Sequence, residues 1–295
     1  MSANPPDTSL SARLASLTRR LGRNARAQRQ LLERAAALKL PFRELPAAEK
    51  TIWWQCGPFL QRLPELAHGA LSGPVQEDKA AARNALRGLV SIDLKMLDNL
   101  DLRQIEGFCG SDTTLPACAS FADYLQALPE RRVRIISQKD FIKAISRPLP
   151  GFLGGEPIAL LQASWRGPHL FWNDDQDAEA FASAICYARL RQIEVTLPAE
   201  ITCYRLNPDG LQQLQGSYHM LAMPAESWSF PDFISLLLDN HIPYARLSQP
   251  RDRQVQEILL LPKDNPAAST LGEGLLLAGA ANILDHLQQL LQTQD

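Results

Sequence analysis

The C-terminal half of the chain alternates short apolar runs with helix-like segments, and several of the links between runs are very short. "IALLQASW" and "HLFW" are separated only by Arg166, Gly167 and Pro168. "IEVTLP" leads into "ITCYRL", and "YARL" into "EILLLP", with only short links between. A parallel connection needs a crossover of a dozen or more residues, so most of these runs must pair antiparallel. Helical periodicity over about 175–191, over "FPDFISLLLDN" and over 270–292 places helices among them. The expectation is an α+β protein with a mainly antiparallel sheet, helices packed on it, and a helical region ahead of it.

Three parts are expected. Residues 1–40 form a basic amphipathic helical arm, residues 41–130 a mainly helical region, and residues 131–295 the α+β domain. In the arm, Leu10, Leu14, Leu17 and Leu21 make a stripe that Leu31, Ala35 and Leu38 resume, and Pro41 ends it. Farther on, "LSGPVQEDKAAARNALRGL" reads as a helix with Pro74 in its first turn. "SIDLKMLDNL" reads as another short helix and "VRII" as a strand. Ser137 with Asp140 fits a capping box, and "SRPLPGFLGGEP" is a loop.

Charge is uneven along the chain. Residues 1–40 carry eight basic side chains against Asp7 and Glu33, a net of +6, which leaves −8 on the other 255 residues. Arg19, Arg20, Arg23 and Arg26 are the candidate binding residues of this arm. The leucine stripe is expected first to pack on the protein's own body with the arginines in solvent; of the binding readings, a partner helix on the stripe is favoured over nucleic acid, which would be held through phosphate contacts. The whole-chain charge of −2 argues neither way. Five cysteines without a CxxC motif fit reduced thiols, and no run of 18 apolar residues exists, so a cytoplasmic protein without a membrane span is expected.

The densest run of reactive groups is "HLFWNDDQDAEAF", residues 169–181. On a helix Asp174 shares a face with Asp177, and Asp175 with Glu179, but the two pairs do not converge, so no metal set is expected. A helix start explains the run better, with Asn173 as N-cap and Gln176 three residues on. The glycines of "TLGEGLLLAGA" lack dinucleotide spacing, and "PGFLGGEP" lacks the Lys-Ser/Thr of a phosphate loop, so no cofactor is called for.

Two function classes follow. The leading one is a non-enzymatic binding or regulatory protein whose arm or sheet face engages another macromolecule. The rival is an enzyme with a site on the C-terminal sheet. Its candidates are His169, Arg205, His219 and Glu257, with Trp165 and Trp172 as stacking walls. Arg205 would hold an anionic group, and His219 or Glu257 would act as general base. A purely structural or assembly subunit, a third class, would present a large apolar surface patch.

Arg205 in "ITCYRL" and Glu257 opening "EILLLP" resemble the arginine and glutamate strands of ADP-ribosyltransferases over about 55 residues. The Ser-Thr-Ser strand of that family is missing, and Val255 stands where it has Glu or Gln. At the scale of the chain, "ALSGPVQEDK", "ISQKDF", "SWRGPHLFW", "AFASAICYARLR" and "IPYARL" resemble an uncharacterised bacterial family of unknown function. That resemblance spans most of residues 60–290 and implies no activity, cofactor or site residue.

Overall fold

The computed structural model describes residues 25–45, 50–56, 59–110, 118–251 and 254–292. In chain order the helices are α1 (Ala25–Ala36), α2 (Gln76–Arg87), α3 (Phe121–Ala127), α4 (Gln138–Ile145) and α5 (Ala178–Arg191). Then come α6 (Pro208–Ser217), α7 (Pro231–Asp239), α8 (Pro266–Leu277) and α9 (Ile283–Gln292). The strands are β1 (Leu71–Ser72), β2 (Val90–Asp101), β3 (Ile105–Phe108), β4 (Ile158–Ala163) and β5 (Leu170–Trp172). They continue with β6 (Thr196–Leu206), β7 (Tyr218–Pro224), β8 (Ala245–Arg251), β9 (Gln254–Pro262) and β10 (Ala281–Asn282). The fold is α+β, with the strands divided between two five-stranded sheets. Among the described residues no helix is long and apolar enough to cross a membrane.

The chain forms two compact units. The first combines the described parts of Met1–Leu45 with Leu66–Arg87 and Pro208–Gln289. Its sheet has the order β1-β8-β9-β7-β10 and is antiparallel throughout. Both edge strands are only two residues long, which leaves little edge to pair with another chain. One face of the sheet offers Leu221, Met223, Leu259 and Leu261 to a core shared with Leu31 and Ala35 of α1, Phe233 and Leu236 of α7, and Leu271 and Leu275 of α8. A Cβ on Gly274 would stand 2.4 Å from the Ala35 Cβ, so the glycine sets how closely α1 and α8 approach. The stripe of Leu31, Ala35 and Leu38 is therefore buried inside its own unit; Leu10, Leu14, Leu17 and Leu21 lie outside the described residues.

The expected closing helix over 270–292 is in fact two helices. The chain leaves α8 through Gly279 at φ +106, a backbone conformation that residues with a Cβ rarely adopt, and forms β10 before α9 begins.

The second unit combines the described parts of Pro46–Glu65, Gly88–Asn207 and Leu290–Asp295. Its sheet has the order β2-β6-β4-β5-β3 and is mixed. β2 runs antiparallel to β6, β6 parallel to β4, β4 antiparallel to β5, and β5 parallel to β3. The turn between β4 and β5 is the expected hairpin. On the inner face Ile158, Leu160, Leu170, Trp172, Leu197, Ala199, Ile201 and Cys203 pack against Phe181, Ala182 and Ile185 of α5.

Several local readings change in this unit. "IEVTLP" and "ITCYRL" are one strand, β6. Pro198 falls where the β2–β6 register shifts and just before pairing with β4 begins, so its missing N–H breaks no regular ladder. "SIDLKMLDNL" is most of strand β2 rather than a helix; its alternation of Ile92, Leu94 and Met96 with Ser91, Asp93 and Lys95 is a period of two. "VRII" joins no sheet, because the Glu179 carboxylate accepts the Arg132 and Val133 N–H groups at 2.6 and 2.7 Å. The Ser137–Asp140 capping box is present at the start of α4.

Candidate functional site

The acidic run before α5 has a partner for most of its carboxylates. Asp174 Oδ1 accepts the N–H groups of Asp175 and Gln176, which makes a tight turn. Asp177, not Asn173, is the N-cap of α5, in a left-handed conformation, and it pairs with Arg147 at 2.7 Å. Glu179 holds the 132–133 backbone. No group of three or more His, Cys, Asp or Glu suited to a metal occurs among the described residues.

The candidate catalytic residues separate into two pairs. Glu257 and His219 lie on one face of the antiparallel sheet in the first unit; Arg205 and His169 belong to the second. His219 stands opposite Leu261 and Glu257 opposite Met223, so four residues, about 13 Å of strand, separate them along the sheet. Glu257 is 2% exposed and fully engaged. The Arg246 guanidinium donates Nε to Oε2 at 2.8 Å and Nη2 to Oε1 at 2.7 Å, and the Ser248 hydroxyl donates to Oε2 at 2.7 Å. Burial pushes this carboxyl up, but the Arg246 fork and the Ser248 hydroxyl outweigh it and hold it below the usual range. The Trp228 ring covers the guanidinium at 4.3 Å.

His219 packs under α8, its Nε2 3.3 Å from the Ser269 hydroxyl. Burial, reinforced by Lys263, brings its pKa down to about 4, so the ring is neutral near pH 7. In the second unit, His169 pairs with Glu106 just before β5, and Arg205 lies 3.7 Å from Asp93 with both side chains exposed. Trp165 and Trp172 are buried, and Trp172 lies flat on Phe181 at 4.4 Å. Arg26 is exposed on α1, while Arg19, Arg20 and Arg23 lie outside the described residues.

Arg166, which the sequence reading passed over, organises the outer face of the mixed sheet. It donates to the carbonyls of Trp54 and Trp53 at 3.0 Å and of Cys56 at 3.2 Å, and its guanidinium lies 4.3 Å from the Phe171 ring centre. Burial lowers its pKa to about 10. Trp54 in turn packs on Phe171 and Tyr204. The segment 52–54 also pairs with Phe108, donating Trp54 N–H to its carbonyl and accepting its N–H at the Ile52 carbonyl. That closes the β3 edge of the sheet.

The opposite edge, β2, has no such cover among the described residues. Its register puts Ile92, Leu94 and Met96 beside Tyr204, Thr202 and Glu200 on the outer face. They are 43, 62 and 58% exposed, and Ser91, Asp93 and Lys95 between them are exposed too. The backbone edge pairs with no other strand among the described residues. Asn207 N–H donates to the Leu89 carbonyl at 2.9 Å, so Leu89 is a hydrogen-bonded position of the β2–β6 ladder. By antiparallel alternation Ser91, Asp93 and Lys95 also face β6, whereas Ile92, Leu94 and Met96 direct N–H and C=O away from the sheet.

These features define a mixed α+β protein with structural ion pairs and one long open strand edge. The chain belongs to DUF6685, a family of unknown function, whose model matches residues 96–295. No curated protein and no solved structure matches it.

Replacing Glu257 with Gln should cost about 1–3 kcal/mol in urea unfolding, because the half-buried Arg246 then loses its counter-charge; a loss under about 0.5 kcal/mol would contradict this pairing. His219 has a folded pKa below its unfolded value, so its contribution is present above about pH 6.5 and lost as pH falls towards 4. Wild type should therefore lose on the order of 2 kcal/mol more than His219→Leu across that window; equal slopes would contradict the assignment.

Proposed function

We propose that this chain is a non-enzymatic binding protein whose working surface is β2 and the outer sheet face beside it. The observation that carries the reading is the uncovered row of Ile92, Leu94 and Met96 on a strand whose backbone edge is also open. Long, apolar, exposed edges are aggregation hazards that proteins blunt by shortening or covering, as both edges of the other sheet are shortened here and the β3 edge is covered. An edge left open in this way suits addition of a strand from another chain, with main-chain hydrogen bonds giving affinity and alternate side chains giving specificity. The chemistry-bearing side chains support the same reading from the other side: Glu257 is held in an ion pair with Arg246, His169 contacts the Glu106 carboxylate and His219 is packed under a helix. Separately, the basic residues of 1–40 would by their charge favour an acidic partner. Five free cysteines fit a reducing, cytoplasmic setting.

A photo-crosslinking residue placed at Leu94 of the full-length protein in its host should trap a macromolecule. The same residue at Leu190, exposed on α5 of the same unit, should trap far less. Equal yields at the two positions, or none at Leu94, would overturn the reading.

A further inference from the structure

Resting on that reading of β2, we propose that its occupant is a second copy of this chain. The two β2 strands pair antiparallel about a two-fold axis through Leu94 and join the two mixed sheets into one.

The hydrogen-bonding pattern permits this axis. The outward N–H and C=O groups are those of Ile92, Leu94 and Met96. An axis through Leu94 therefore makes Leu94 a hydrogen-bonded pair with its own copy and sets Ile92 against Met96 on either side. About six backbone hydrogen bonds form across the junction.

The side chains select it. On the outer face the apolar row meets itself, Ile92 against Met96 and Leu94 against Leu94. On the helix face Asp93 of each copy stands directly opposite Lys95 of the other, which gives two favourable cross-strand pairs. Neighbouring registers lose this match. An axis through Asp93 opposes Asp93 to Asp93, and one through Lys95 opposes Lys95 to Lys95; like charges facing each other across strands are destabilising. An axis through Met96 leaves Leu94 against Asp98 and Lys95 against Leu97. The sequence "SIDLKML" is thus self-complementary in one antiparallel register. An unrelated strand would meet both an acid and a base on the edge without matching partners, whereas a second copy supplies both. Arg205, exposed 3.7 Å from Asp93 on the same face, adds a basic group beside the junction.

Closed two-fold association also removes the hazard of the edge. An isologous contact uses one patch on each copy and ends there, so the strand that would otherwise recruit further chains is covered.

The test is sedimentation equilibrium on the full-length protein across about 1–100 µM, together with three variants at exposed positions. Wild type should have about twice the 32.7 kDa chain mass. Asp93→Lys alone and Lys95→Asp alone each bring like charges together in every copy and should weaken association at least tenfold. Mixing those two variants in equal amounts restores both oppositely charged pairs, and a heterodimer should form with near wild-type affinity. The double exchange Asp93→Lys with Lys95→Asp should again dimerise with itself. A monomeric wild type throughout the range, or single variants that associate as tightly as wild type, would overturn the second copy as occupant. If wild type is monomeric while the Leu94 cross-linker still traps a different macromolecule in the host, the edge remains a binding surface and only this occupant fails. If neither is seen, the reading of the edge fails as well.

Discussion

Strand β6 governs the second unit. It lies between β2 and β4, and its burial alternates along most of its length. Leu197, Ala199, Ile201 and Cys203 go into the core under α5, while Glu200, Thr202 and Tyr204 point to the other face. Because side chains in a strand have a period of two, this alternation fixes the register of everything paired to β6; a slip of one residue would exchange the two faces. β2 inherits that register. Its odd residues between 89 and 95 must bond to β6, and its even residues must face outward in backbone and carry the apolar row in side chain. The open edge is thus a consequence of how the core of β6 is buried, not a local irregularity.

The buried and half-buried charges act as fasteners. Arg166 gathers the carbonyls of the segment around Trp53 and Trp54 and stacks on Phe171, so the strap that closes the β3 edge is tied through one guanidinium. Its planar fork suits this, since several N–H donors reach different carbonyls at once. Arg246 does the same between β8 and β9, with Glu257 as acceptor and Trp228 as lid. In both places a charge is desolvated only where several hydrogen bonds compensate, as burial requires.

Much of the fold was legible from periodicity. The hairpin at 158–172, the three inner strands β7, β8 and β9 of the antiparallel sheet and the helices over 178–191 and 231–239 follow from alternation and turn residues, which are local signals, whereas its two-residue edge strands β1 and β10 lie in stretches that read as helix. What escaped depended on partners distant in sequence. "SIDLKMLDNL" has enough leucines to mimic a helix stripe, and only pairing with β6, about 110 residues later, makes its alternation decisive. The cap of α5 moved from Asn173 to Asp177 because Asp174 closes a turn of its own first. Arg166 sat in plain view within "SWRGPHLFW", but its carbonyl partners are more than 100 residues upstream. Among the candidate site residues, the exposure of Arg205 and the burial of Glu257 on alternating strands could not be told apart without knowing which faces helices cover. The two-residue period of β2 was the signal available for its edge.

Amide hydrogen exchange along β2, followed at single-residue resolution over a range of protein concentrations, tests the binding edge most directly. If a second copy covers β2, the amides of Ile92, Leu94 and Met96 exchange fast in dilute solution and become protected as concentration rises, while those of Ser91, Asp93 and Lys95, bonded to β6, stay protected throughout. Exchange at Ile92, Leu94 and Met96 that remains fast at every concentration would contradict pairing through this strand.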